Sequence, residues 1–429
     1  MNFEVLKRSH LKRNIIIGVV AVLIISAVIL NFTKAKYRVT QSIPLVNGTI
    51  NYSASDLNAV AIYVNGDSGY TKSDTIPESG YVLNEEESYC TVDGEEDTNI
   101  SLSYDVATKS LSVTPMTTQG TKCYLYFDEK GITNIEELIA SKTIATRDDF
   151  STTLEEDTTG TIYQAEDDDG TTYYFAGNPS DNWVQWAGYY WRIIRINGDG
   201  TLRLIYNGTS TNTTGTETQI SASAFNSSWY DNAYVGFKYT IDNVHGTETN
   251  STILASLDSW YSSNLSSYAD DIDTNAGFCN DRTPHNGDGL GTNTTYYAAN
   301  IRLINNKTPS FKCTNNNDLF TVNSSNKGNK SLQYPIGLIT ADEVAYAGGV
   351  SEINNNSYYL HTTQDYWTMT PFWYGSWEGA GVFAVYSSGD LSKSIVDSTT
   401  LGVRPVVNLK ADTQFSVGDG TASNPFVVS

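Results

Sequence analysis

The chain is poor in charge. Asp, Glu, Lys and Arg together make up only 17% of its 429 residues, against about a quarter in an average soluble domain. That argues against a helical cytosolic enzyme laced with ion pairs. Cysteine is scarce: there are four, and no Cys-x-x-Cys spacing among them, which leaves zinc-ribbon and thioredoxin-type chemistry without support. The four histidines, His10, His245, His285 and His361, include no pair four residues apart and no His-Glu-x-x-His. Gly-x-Ser-x-Gly is missing too. The nearest run, Gly375-Ser376-Trp377-Glu378-Gly379, lacks the nucleophile-elbow spacing. No catalytic residue is therefore assigned, and the chain is not expected to be an enzyme. No basic patch argues for DNA or RNA, so no nucleic-acid partner is expected.

What fills the gap is Asn, Ser, Thr, Gly and 29 Tyr, a mixture that suits short strands and polar turns. Hydrophobic residues reach 39%, enough for real cores, and the length suggests two or three domains. Acidic residues number 48 and basic 26; the first 38 residues hold seven of the basic and one of the acidic, leaving 47 against 19 beyond them. Such a surface repels nucleic acid and anionic lipid. Residues 15–30, IIIGVVAVLIISAVIL, carry no charge. With their rims they are just long enough for a tilted helix across roughly 30 Å of hydrocarbon. A cleaved signal peptide fits less well, because no clean Ala-x-Ala site follows. The reading is a single-pass protein of the cell membrane, attached through 14–32, with its N-terminus cytoplasmic and the bulk extracellular.

Cysteine usage fits an oxidising compartment. Domain-local pairing, Cys90–Cys123 and Cys279–Cys313, is the expected arrangement, and four buried free thiols are the alternative.

The chain divides into a cytoplasmic tail (1–13), a transmembrane helix (14–32), a stalk (33–45), a β-sandwich-like spacer domain (46–128), a helix with an acidic linker (129–164) and a larger domain (165–429). In the spacer, NISLSYDV and KSLSVTP alternate apolar and polar residues with period two. In the larger domain, residues 252–268 place Ile253, Leu254, Leu257, Trp260, Tyr261 and Leu265 on one helical stripe. Thr340 and Glu343 stand at capping-box spacing. The segment 273–331 is long, polar and rich in Gly and Asn.

Several motifs of the larger domain stand in a specific order: WRIIRINGDGTLRLIYNG at 191–208, FCNDR at 278–282, GLITADEVAYAGG at 337–349, YWTMTP at 366–371, GVRPVVNLK at 402–410 and VGDGTASNPFVV at 417–428. In that order they resemble a group of Gram-positive bacterial surface domains of the C-type-lectin-like and formylglycine-generating-enzyme-like superfamily. The resemblance covers about three-fifths of the chain. It implies an α+β C-type-lectin-like C-terminal domain, with a twisted antiparallel sheet, one or two helices and long loops that hold any site. The rest of the fold expectation is a small all-β sandwich-like domain and one N-terminal transmembrane helix. The calcium-lectin motifs and the enzyme family's paired C-terminal cysteines are absent, so neither calcium-mediated sugar binding nor copper-dependent oxidation carries over.

Three features remain as candidates. Asn197-Gly198-Asp199-Gly200 lies between two β-rich runs and reads as a hairpin turn. Its second copy, within CNDRTPHNGDGLGTN at 279–293, supplies Asp281 and Asp288, the weak candidates for a metal site; calcium is the one cofactor in question, and none is otherwise expected. Aromatics crowd into 367–377, and Trp373, Tyr374 and Trp377 are the candidate ligand-binding residues. Arg404, within an apolar strand, predicts a buried ion pair. The expected role is ligand binding or adhesion at the cell surface, with a surface glycan or protein as partner. The alternatives are an enzyme distantly related to sulfatase-modifying factors and a purely structural envelope protein.

Overall fold

In the computed structural model the described residues are 43–44, 57–66, 69–77, 81–105, 110–114, 121–129, 131–323 and 327–429. They fall into two compact units that divide between Lys130 and Gly131. The chain is mostly β, 35% strand and 14% helix. The α+β C-type-lectin-like expectation is corrected on that finding. Its helices turn out few and short: Ile135–Ala140, Thr252–Asn264 and Ala341–Ala347 are the main ones. The physical reason lies in the composition. Tyr, Thr, Val and Ile favour pleated, half-buried surface, and Asn and Gly favour turns.

The single-pass membrane placement is also corrected. Among the described residues no helix is long and apolar enough to cross a membrane. Thr252–Asn264, at 13 residues, is about 20 Å long against about 30 Å of hydrocarbon. The span read at 14–32 lies outside the described residues, as do the tail 1–13 and, apart from 43–44, the stalk 33–45.

In the first unit two sheets share one core. One sheet runs in the order Thr71–Ser73, Leu57–Val64, Thr121–Glu129, Tyr89–Val92, Glu95–Glu96, with Tyr81–Leu83 also on Thr121–Glu129; the other joins Ile43–Pro44, Ser110–Thr114 and Ser101–Asp105. Ile62, Leu125 and Phe127 of the first meet Leu102, Leu111 and Val113 of the second. Cys90 and Cys123 are direct cross-strand partners and form a disulfide, with Cα atoms 4.0 Å apart.

The second unit is built on a nine-stranded and a seven-stranded sheet. In the nine-stranded sheet Leu202–Tyr206 is buried at every position and lies between Tyr189–Ile196 and Val406–Leu409. Asn197-Gly198-Asp199-Gly200 is the turn of the hairpin that Leu202–Tyr206 makes with Tyr189–Ile196. Gly200 donates to the Asn197 carbonyl at 2.8 Å, and Asp199 turns back to accept from the Thr201 amide and hydroxyl. Residues 129–164 hold the helix Ile135–Ala140 and a short strand. Thr143–Ala145 pairs in parallel with Thr161–Glu166 and extends the same sheet. Trp183, Trp186 and Trp191 are buried in this unit's core. The helix at Ala341–Ala347 carries a complete capping box between Thr340 and Glu343.

The seven-stranded sheet is organised around Tyr366–Gly375, which pairs along its length with Gly379–Val385 and near its end with Thr295–Tyr297. Gly379–Val385 pairs in turn with Leu391–Ile395. The second disulfide, Cys279–Cys313, spans 5.8 Å between Cα atoms. Arg404 is buried as predicted but meets no carboxylate among the described residues. Its guanidinium donates to the Tyr206 and Leu360 carbonyls and to Asn207 Oδ1, and it lies 4.8 Å from the Tyr366 ring centre. Two main-chain carbonyls, an amide oxygen and an aromatic face do the work expected of an ion pair.

Candidate functional site: an aromatic end of the second unit

The hairpin Tyr366–Gly375/Gly379–Val385 turns through three residues, Ser376, Trp377 and Glu378. Trp377 stands at its tip and is 95% exposed. An indole so fully in water forfeits most of the roughly 2 kcal/mol that burying a large apolar side chain contributes. Folding gives no reason for it.

Trp373, two residues before the end of the strand, lies flat on the outer sheet face. Its six-membered ring covers Gly375, where a Cβ atom would sit 1.8 Å from a ring carbon, and its pyrrole edge reaches Gly381, the cross-strand partner. No residue with a side chain fits at Gly375 while the indole keeps this pose. Tyr296 is the partner of Trp373 on the neighbouring strand, and the rings stack at 6.4 Å and 27°. The Lys393 ammonium sits 4.5 Å above the Trp373 ring and pairs with Glu378 Oε2 at 2.5 Å. This exposed ion pair adds little stability, but it sets one donor and one acceptor beside the rings.

Residues 229–230 extend the surface. The Trp229 ring packs against Gly379, and the Trp229 carbonyl accepts from the Ala380 amide at 2.7 Å. Asn232 anchors this loop. Its buried amide donates to the carbonyls of Leu290, Gly291 and Asn293, and it accepts from the Tyr297 hydroxyl. Tyr230, Tyr234 and Tyr239 follow as a row of edge-to-face rings 5.4 and 5.2 Å apart. Burial first, and then the hydrogen bond to Tyr230, push the Tyr234 hydroxyl up to about 12, so it stays a neutral donor. Tyr296, Trp229, Tyr230 and Trp377 are 39%, 40%, 58% and 95% exposed. With Ile395 on the next strand, more than half of the large exposed hydrophobics among the described residues gather at this end. Scattered singly they would need no explanation; gathered, they make this end the candidate contact surface.

Of the candidates read from the sequence, Trp373 and Trp377 belong to this surface. Tyr374 does not: it faces inward, buried, and its hydroxyl donates to the Tyr230 carbonyl at 3.0 Å, steadying the loop. Asp281 and Asp288 are not brought together. Asp281 is buried, pairs with Arg302 at 3.3 Å and accepts from Thr314 and the Thr283 amide. Asp288 is exposed and closes its own turn through the Leu290 amide and the Asn293 side chain. Among the described residues no three His, Cys, Asp or Glu side chains are arranged to hold a metal ion. Trp229, Tyr230, Tyr296 and Lys393 were not singled out in the sequence. The local signals were the pairs Trp229-Tyr230 and Tyr296-Tyr297 in otherwise polar runs.

Compared with protein-family models, with curated proteins and with solved structures, the chain matches none. The resemblance drawn from the order of its motifs therefore rests on those motifs alone.

Proposed function

We propose that this is an extracellular binding protein whose contact surface is the aromatic end of the second unit. Trp377 carries the reading, as an almost fully exposed indole at the tip of a hairpin. Aromatic side chains dominate binding energetics because they offer large, rigid contact area at low entropic cost. The rings stand on a projecting hairpin, which suits the surface of a macromolecule, a glycan chain or a protein, better than a small ligand. Two disulfides and a β-rich fold support an oxidising, extracellular setting. The acidic excess beyond residue 38, 47 residues against 19, disfavours anionic partners.

The test is an array of surface glycans and extracellular proteins probed with the full chain and with Trp377→Ala. The expected result is at least one specific ligand for the wild type, with the signal reduced about tenfold or more in the variant, as for a hot-spot tryptophan, at an unchanged melting temperature. Equal binding by the two proteins would refute the assignment.

A further inference from the structure

A second feature lies away from the aromatic end. The turns 167–170 and 197–200, the Cys279–Cys313 disulfide, Arg302 and the start of the helix Ala341–Ala347 enclose a charged cleft with room of about 60 Å³. That space holds roughly four waters, or one small polar head group.

Seven carboxylates and five cations line it. Most are committed to one another. Glu343, buried, pairs with Arg203 at 2.5 Å and Arg195 at 3.1 Å; Arg195 also holds Asp167 at 2.7 Å. Arg302 grips Asp342 at 2.7 Å and reaches Asp281, and Lys327 pairs with Asp169. That leaves Asp168 and Asp199, both exposed at the mouth, and the exposed Lys312, none of them in an ion pair among the described residues, so seven carboxylates face five cations and the lining stays two positive charges short. Asp168 spends one oxygen on the Cys313 amide, and Asp199 spends one on Thr201. The other oxygen of each takes no hydrogen bond among those residues.

A third acceptor is buried in the wall. Asn197 is 8% exposed and donates through its amide nitrogen to Thr201 Oγ1 and Asn408 Oδ1, but its Oδ1 accepts nothing. Buried acceptors without partners are rare and costly. Charge balance and hydrogen-bond balance thus agree: the cleft lacks a small cation that donates. Among the described residues no three His, Cys, Asp or Glu side chains are arranged to hold a metal ion, and the open acceptors call for a cation that donates hydrogen bonds.

From this we infer that the cleft binds a primary ammonium group. Its three N–H donors match the three acceptors in number, Asn197 Oδ1 and the open carboxylate oxygens of Asp168 and Asp199. A lysine side chain and a peptide N-terminus both present that chemistry. The test is calorimetric titration of the full chain with butylammonium, glycinamide and butyrate. Asp168→Asn/Asp199→Asn serves as the variant, because both residues are exposed and Asn keeps an acceptor at each position. Saturable binding of an amine, weakened about tenfold in the variant as expected for lost charge-assisted hydrogen bonds, is the expected result. Tighter binding of butylammonium assigns the site to a lysine-type chain, and tighter binding of glycinamide to an N-terminus. Butyrate binding as tightly as the amines would overturn the inference. So would the absence of saturable amine binding, or unchanged binding by a variant that melts like the wild type.

Discussion

Asp258, on the helix Thr252–Asn264, shows what one residue adds. Its Oδ1 is buried without a partner, and burial pushes the carboxyl up to about 6, with nearby Lys238 pulling the other way. In the unfolded chain the same group titrates near its ordinary value of about 4. A folded value above the unfolded one means that this contribution to stability is complete below about pH 4 and is lost as the pH rises through about 6. Asp258→Asn is expected to flatten that dependence and to raise stability at pH 7 by about 1 kcal/mol, less than the full shift because the carboxyl is partly exposed and screened by solvent. Denaturant unfolding at pH 4 and pH 7 checks it; an equal fall with pH in both proteins would rule out Asp258 as the source. Arg404 teaches a different lesson at the same scale. A charged residue in an apolar strand implies a compensating environment, and the sequence makes a carboxylate the natural guess. The strand pairing instead delivers the Tyr206 and Leu360 carbonyls and Asn207 Oδ1, none of which announces itself in a linear reading.

At the scale of elements, local signals were legible and assembled ones were not. The hairpin turn at 197–200, the cap at Thr340 and the Cys90–Cys123 and Cys279–Cys313 bridges are each written in a few residues or in a spacing. The strand Thr143–Ala145 is not, because its reason for being a strand is a parallel partner at Thr161–Glu166, across an acidic, Thr-rich stretch that reads as linker. The aromatic surface is half legible for the same reason. Trp373 and Trp377 share one crowded segment, but Trp229, Tyr230 and Tyr296 come from distant stretches and meet them only through strand register and the Asn232 anchor. The hairpin also makes its own prediction. Gly375→Ala drives a methyl group into the Trp373 ring and should dislodge the indole from the sheet. The expected readout is a red-shifted tryptophan emission together with loss of ligand binding, with the fold retained by circular dichroism. An unchanged spectrum would mean that the glycine does not set the pose.

At the scale of the molecule, two units each carry a disulfide and a core of their own. The α+β expectation came with the resemblance in motif order, whereas the composition itself pointed to short strands and turns. A chain so rich in Tyr, Thr, Asn and Gly spends its length on short strands and turns, and its helices stay too short to define an α layer. The two candidate sites differ in character. One end of the second unit exposes its rings, whereas the charged cleft elsewhere in that unit keeps nearly all its groups paired.

The most direct measurement is a paired titration. The strongest ligand from the array is titrated into the wild type, into Trp377→Ala and into Asp168→Asn/Asp199→Asn. If the aromatic end is the contact surface, affinity falls about tenfold or more in Trp377→Ala alone and is unchanged in the cleft variant. Full affinity in Trp377→Ala, or loss confined to the cleft variant, would contradict it.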